Sequence, residues 1–281
     1  MLSYRHSFHA GNHADLLKHL VLLALLQKLG EKEKPMSYLD SHAGAGRYDL
    51  FSANAMMNAE HESGIARLWQ RPVKDPLLMR YLACVASFNT PERLQYYPGS
   101  PAIAQWATRP QDRLELLDLQ QEELDYLRFY LRADPRVHIH QRDAYEGLVA
   151  LTPPEPRRGI ALIDPSYEQK EDYARVVKTI ASVHRRWPVG VLAVWYPRLG
   201  AARDRGDWLA QALERERFPS LTRIELTVAP QQQDYGMHGS GMLVVNSPWQ
   251  LDKTLNASLQ EVLTFLGESA AFSLDVISRE D

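Results

Sequence analysis

Met36-Ser-Tyr-Leu-Asp40 runs directly into Ser41-His-Ala-Gly-Ala-Gly46, and that junction decides the fold. A short apolar strand breaking into a glycine-containing turn opens a nucleotide-binding α/β fold. Upstream, Asn12 can cap a helix from His13 to Leu29, with Asp15 in its first turn and Gly30 just past its end. Its leucines are dense enough to predict burial on most sides.

Downstream, residues 48–98 hold several helical stretches separated by Pro72 and Pro76, with no convincing strand. They read as a helical insertion. Strand candidates then recur with helices between them: Arg113–Leu119, Val137–Gln141, Gly159–Ile163, Val189–Trp195, Arg223–Val228 and Met242–Asn246. Glu122–Leu131, Tyr173–Trp187 and Asp207–Arg217 read as helices. Alternation of this kind predicts a mostly parallel, seven-stranded sheet with helices on both faces. The last two strands are joined only by Ala229–Gly241, so they should form an antiparallel hairpin at one edge. The expected architecture is one α/β domain over residues 1–281, with residues 48–98 as an inserted helical subdomain. No internal repeat or low-complexity tract interrupts it.

A chain of 281 residues, 45% apolar and 24% charged, can bury one large core. Its net charge of −3 excludes a simple cationic coat for nucleic acid. Local charge differs: from Ser63 to Pro110, six basic residues (Arg67, Arg71, Lys74, Arg80, Arg93 and Arg109) face two acidic ones. With Trp69, Tyr96 and Tyr97 nearby, this stretch reads as an RNA-contacting surface, against the plainer reading of a solvated helical face. The single cysteine, Cys84, excludes an intramolecular disulfide and a cysteine-based metal cluster. The N-terminus lacks a signal peptide's basic-then-apolar order. Leu20–Leu26 is too short to cross a bilayer. The expected setting is the cytoplasm.

In an open α/β sheet, ligands bind beyond the carboxyl ends of the strands, where strand order reverses. The first strand ends at Asp40, His42, Gly44 and Gly46, the second at Asp118, and the third leads to Asp143. The fourth gives Asp164-Pro165-Ser166-Tyr167, and the fifth Trp195-Tyr196-Pro197. Glycines let the backbone approach a ligand. Asp118 can accept from ribose hydroxyls, and Asp143 can face an adenine amine. This set suits an adenosyl cofactor, although strand-end aspartates are also common turn formers.

The fourth strand adds chemistry. An adenine amine is a poor nucleophile because its lone pair is delocalised into the ring. The Asp164 carboxylate and the Pro165 carbonyl can accept its two N–H bonds and hold it in line with a methyl sulfonium. Tyr167 can stack on a base drawn out of its helix. The competing reading is an ordinary Asp-Pro turn.

At this point the chain resembles, essentially end to end, the bacterial 23S ribosomal RNA adenine-N6 methyltransferases. The matching stretches are Ser3-Tyr-Arg-His-Ser-Phe-His-Ala-Gly-Asn-His-Ala-Asp15, Leu39-Asp-Ser-His-Ala-Gly-Ala-Gly-Arg-Tyr48, Tyr96-Tyr-Pro-Gly-Ser-Pro101 and Gly241-Met-Leu-Val-Val-Asn-Ser-Pro-Trp249. The resemblance implies a class I methyltransferase fold, Rossmann-like, with S-adenosylmethionine as cofactor and ribosomal RNA as substrate. It implies that His19, His42, Ser100, Asp118, Asp143 and Ala144 line the methyl-donor site, with Asp164 acting on the target amine. Tyr4, with His6 and Lys18 near it, would belong to an N-terminal element closing over cofactor and substrate. Two residues depart from the family's pattern: Ser166 stands where it has a second proline, and Asp118 where glutamate is expected.

His6, His9 and His13 invite a metal reading, but Gly11 and Asn12 interrupt any helix aligning the last two, and no metal is expected. No obligate partner is indicated, and a monomer is expected. Other readings are a DNA adenine methyltransferase, sharing the tetrapeptide, or a nucleic-acid factor linked to the use of external DNA. A nicotinamide oxidoreductase is disfavoured because the first loop lacks the Gly-x-Gly-x-x-Gly spacing.

Overall fold

A computed structural model describes residues 4–234 and 236–279. Met1–Ser3, the start of the N-terminal stretches read above, lie outside the described residues, as does Tyr235 of the loop Gln231–Gly239.

The chain opens with α1 (His13–Gly30), then β1 (Ser37–Asp40) and β2 (Arg47–Asp49). The insertion supplies α2 (Ala53–Asn58), α3 (Ile65–Leu68) and α4 (Pro76–Ala86), and β3 (Tyr96–Pro98) closes it. Next come α5 (Ser100–Ala107), β4 (Arg113–Asp118), α6 (Gln121–Leu131), β5 (Val137–Gln141) and α7 (Ala144–Ala150). They are followed by β6 (Gly159–Ile163), α8 (Asp172–Arg186), β7 (Val191–Leu199) and α9 (Gly206–Glu214). The chain ends with β8 (Ser220–Thr227), β9 (Met237–Val245), α10 (Leu251–Leu266) and β10 (Ala271–Arg279).

Among the described residues one eight-stranded sheet forms, in the order β10-β8-β9-β7-β6-β1-β4-β5. Strands β5, β4, β1, β6 and β7 are parallel, whereas β9 runs antiparallel to both β7 and β8. From β1 the chain moves outward through β4 and β5, then returns to β6 on the other side. The reversal therefore falls at β1, whose last residue, Asp40, is in register with Leu116 of β4 and Leu162 of β6.

Two features differ from expectation. The antiparallel pair β8–β9 does not form the sheet's edge, because β10 pairs with β8 outside it. The alternation that marks β10 is present, with Phe272 and Leu274 half-buried and Ser273 and Asp275 exposed. A register shift between Val276 and Ser278 interrupts it. The insertion also contains strand. Its two ends pair as an antiparallel ribbon, with Tyr48 opposite Tyr97. Three-residue strands are too short to show a period.

Helix α1 is apolar on every side because every side is covered. The Asn12 carboxamide caps it, accepting from the N–H groups of Ala14 and Asp15 at 2.9 and 3.0 Å. Its leucines share one core with Ile65, Leu68, Leu78, Tyr81 and Val85 of the insertion and with Leu255, Leu259 and Val262 of α10. The insertion is thus packed into the domain. Glu261 of α10 accepts the backbone N–H groups of Lys74 and Asp75, both at 2.7 Å. Asp75 in turn caps α4 through Leu78 and accepts from the Ser258 hydroxyl at 2.6 Å.

Asp40 is fully buried at the sheet's centre. The Tyr38 hydroxyl donates to it at 2.6 Å, and the His42 N–H at 3.3 Å. Burial lifts its carboxyl to about 6, partly opposed by the hydrogen bonds from Tyr38 and Ser100. Because the folded chain holds this proton more tightly than the unfolded chain, the associated stability is complete below about pH 4. It is lost as pH rises through about 6. Asp40→Asn should remove this slope. In urea titrations from pH 4 to 7, the wild-type minus variant difference should fall by up to about 3 kcal/mol. Parallel curves would contradict the assignment. Glu261→Ala should lower stability by about 1–2 kcal/mol in the same assay, by removing an acceptor shared by two N–H groups.

Candidate active site

A cavity of about 240 Å³ opens beyond the carboxyl ends of β1, β4 and β6, where the strand order reverses. The loop after β1 brings His42 and Gly44 to its wall, α1 brings Lys18 and His19, and α5 begins there with Ser100. Asp118 ends β4, Asp143 and Ala144 open α7, and Asp164 and Pro165 follow β6. Tyr4 and His6 close one side. These residues, chosen from sequence, share one cavity. Tyr167 does not line it. Its ring is buried 4.4 Å from that of Tyr173, and its hydroxyl donates to the Trp195 carbonyl at 2.8 Å.

Gly44 adopts φ +59°, and a Cβ there would lie 2.3 Å from the Tyr48 hydroxyl oxygen. Only glycine passes this point without displacing that ring. The Gly44 N–H donates to Asp118 at 2.9 Å, and the Gln120 N–H donates to the other carboxylate oxygen at 2.8 Å. The aspartate that replaces the expected glutamate thus ties the first loop to the second. Asp143 caps α7 through Tyr145 and Glu146, and its second oxygen meets Arg175 at 3.0 Å. Arg175 also covers the Tyr145 ring at 4.0 Å.

The cavity's charged side is a continuous chain. The Tyr4 hydroxyl meets His6 Nδ1 at 2.8 Å, and His6 Nε2 lies 3.0 Å from Asp15. A proton on Nε2 satisfies both contacts. Lys18 Nζ contacts Asp15 at 2.8 Å and Asp164 at 2.7 Å. Burial would lower the Lys18 ammonium, but the two carboxylates outweigh it and raise it. Burial would lift Asp15, but His6 and Lys18 hold it well below the usual range. Lys18 is thus a permanent cation gripping one oxygen of Asp164.

His19 is neutral, because burial pushes it down to about 3. Its Nδ1 bonds the Tyr97 hydroxyl at 2.7 Å, and its Nε2 is buried 3.9 Å from Asp15, without a hydrogen bond. Glu123, also on the wall, has an unpartnered buried oxygen, and burial raises its carboxyl. Polar and charged side chains converging on one cavity mark a site for a polar ligand. A base on one side and carboxylates on the other match a nucleoside carrying an amino-acid tail, so the residues present fit S-adenosylmethionine.

Several wall residues were not singled out from the sequence. Gln120, Glu123 and Tyr145 come from turns and helix faces with no motif, and Tyr48 from β2, too short a strand to show which way it points. The three N-terminal histidines do not converge: His9 bonds Glu60 instead, and among the described residues no group of three or more His, Cys, Asp or Glu could hold a metal. Of the arginines between Ser63 and Pro110, Arg67 donates to the Leu266 carbonyl at 2.6 Å, and Arg109 to Asp112 and the carbonyls of Lys32 and Lys34. Both serve the fold. Arg80 and Arg93 lie exposed over Trp106 and Phe51.

Known proteins match closely. Ribosomal RNA large subunit methyltransferase J of Escherichia coli is 44% identical, with 91% of each chain covered. The protein of the same description in Haemophilus influenzae is 40% identical over 95% of this chain and 93% of its own. A crystal structure of a Legionella pneumophila protein superposes with a TM-score of 0.86 at 33% identity, over 95% of this chain and 98% of that one. A probable spermidine synthase from Corynebacterium glutamicum shares the fold alone, at a TM-score of 0.51 and 16% identity, with coverage of 91% and 73%. Residues 33–276 match the family described as "Ribosomal RNA large subunit methyltransferase D, RlmJ", and the chain belongs to that family.

Proposed function

We propose that this chain transfers the methyl group of S-adenosylmethionine to the N6 amine of an adenine in 23S ribosomal RNA. Enzymes of this family use that methyl donor. The observation that carries the reading is Asp164, at the end of β6 on the cavity wall, with one carboxylate oxygen held by Lys18 at 2.7 Å. Its other oxygen remains for a substrate.

His19, His42, Gly44, Ser100, Asp118, Asp143 and Ala144 would hold the cofactor. The cofactor's sulfonium supplies an activated methyl, so no metal is required. The chain's own residues then orient the amine. The free Asp164 oxygen accepts one N–H and the Pro165 carbonyl the other, which directs the nitrogen lone pair toward the methyl carbon. When bound, the donor would supply its methyl to that nitrogen, the new N–C bond replacing the S–C bond. Asp164 would hold the N–H whose proton is then released to water. Lys18 keeps the carboxylate oriented.

Tyr4 would present an aromatic face to the base, with His9 stacked behind it and His6 bonded to its hydroxyl. Tyr167 would have to leave the Trp195 carbonyl to stack on a base. Its positive φ of 52° is a strained conformation held by that packing. Ser166, on the cavity wall in place of proline, leaves the loop shape to the Tyr167 anchor. We place the activity in the cytoplasm, in a monomer with no obligate partner. Among the described residues no helix is long and apolar enough to cross a membrane.

Incubation with labelled donor and ribosomal RNA lacking the modification should give label in N6-methyladenine. Asp164→Ala should reduce the rate by about 10²-fold or more. Equal label in both proteins, or label only on duplex DNA run alongside, would overturn the reading. In calorimetry, S-adenosylmethionine should bind and NAD should not. The reverse result would place the protein in another class.

A further inference from the structure

The N-terminal element that closes the cavity is not held by the methyltransferase core alone. The first half of the insertion holds it from outside, at four successive places. Asn54 donates to the Ser7 hydroxyl at 3.0 Å. One Glu60 oxygen lies 2.9 Å from His9 Nδ1, and the other accepts from the Asn12 side chain at 2.8 Å. The Ile65 N–H donates to the Gly11 carbonyl at 2.8 Å. This last contact is so close that a Cβ at Gly64 would stand 2.1 Å from the Gly11 oxygen, and one at Gly11 would stand 2.9 Å from the Ile65 side chain. Side chains larger than hydrogen do not fit between the two segments.

Glu60 is the one residue here that grips two partners with separate functions. His9 lies flat against Tyr4, with ring centroids 5.4 Å apart and planes 10° apart. Tyr4 lines the cavity and bonds His6. Asn12 spends its carboxamide oxygen on capping α1, and only its NH₂ is left for Glu60. The first turns of α1 carry Asp15 and Lys18, and Lys18 holds Asp164. One carboxylate therefore sets both the backing of Tyr4 and the start of the helix that aims Lys18. Two hydrogen bonds at distinct oxygens fix its own orientation.

We propose that Glu60 is a positioning residue for methyl transfer, which locks residues 4–12 over the cavity by bridging His9 and Asn12. The insertion is then a wall of the active site as well as a surface. This rests on the proposed methyltransferase activity, but the clamp exists independently of it.

The test uses the full chain, with Glu60→Ala, Glu60→Gln and, as a control on the same turn, the exposed Glu62→Ala. Amide hydrogen exchange is followed over residues 5–12, and kcat, KM for ribosomal RNA and thermal midpoint are measured alongside. Glu60→Ala should speed exchange in residues 5–12 by about tenfold and lower kcat by about tenfold or more, because misplacement on the order of 1 Å costs that much. Glu60→Gln keeps an acceptor for Asn12 and should recover most of the lost rate. Glu62→Ala should match wild type. The proposal is overturned if Glu60→Ala leaves exchange in residues 5–12 unchanged, or if exchange rises throughout the chain. It is equally overturned if exchange rises locally while kcat stays at the wild-type value, or if glutamine restores nothing. Should the wild type itself fail to methylate, the functional reading falls, while the exchange data still decide whether Glu60 holds the element.

Discussion

One buried ammonium joins the parts of this molecule that matter. Lys18 lies between Asp15 on its own helix and Asp164 at the end of the central sheet. Without a cation there, two carboxylates would face each other in a space with little water. With it, Asp15 is held well below the usual carboxylate range, and Asp164 is turned in one direction. The lysine can take this position only because α1 is sunk into the domain on all sides, and α1 is sunk because its leucines find partners in the sheet, the insertion and α10. The chemistry at the strand end thus depends on helix packing far from it in sequence.

Much of this arrangement was legible in the chain. Asn12 as a cap, the break at Ser41–Gly46 and the strand-end aspartates follow from local rules. Together they mark the reversal of strand order as the place where a ligand would bind. Other features were hidden for identifiable reasons. The alternation of β10 is cut short by its register shift, so only its first half reads as strand. The β2–β3 ribbon is made by residues nearly fifty positions apart, and no window of sequence contains both. Tyr167 has the right neighbours for a stacking role, yet its hydroxyl is bound to Trp195, a partner no local pattern announces.

Charge was legible as a sum and misleading as a map. The stretch from Ser63 to Pro110 is basic, but Arg67 and Arg109 are spent on carbonyl groups and on Asp112 within the fold. A count of cations cannot separate those that brace loops from those that meet a partner. The distinction appears only when each guanidinium is followed to what it donates to. The same holds for histidine: His6 and His9, three residues apart, bond carboxylates on different elements.

The burial of α1 also bears on how the chain is made. This helix is synthesised well before β8, β9 and α10, against which it packs. Until they emerge, that side of the leucine-rich helix has no cover. A helix that waits in this way for its partners needs something to shield it in the interval.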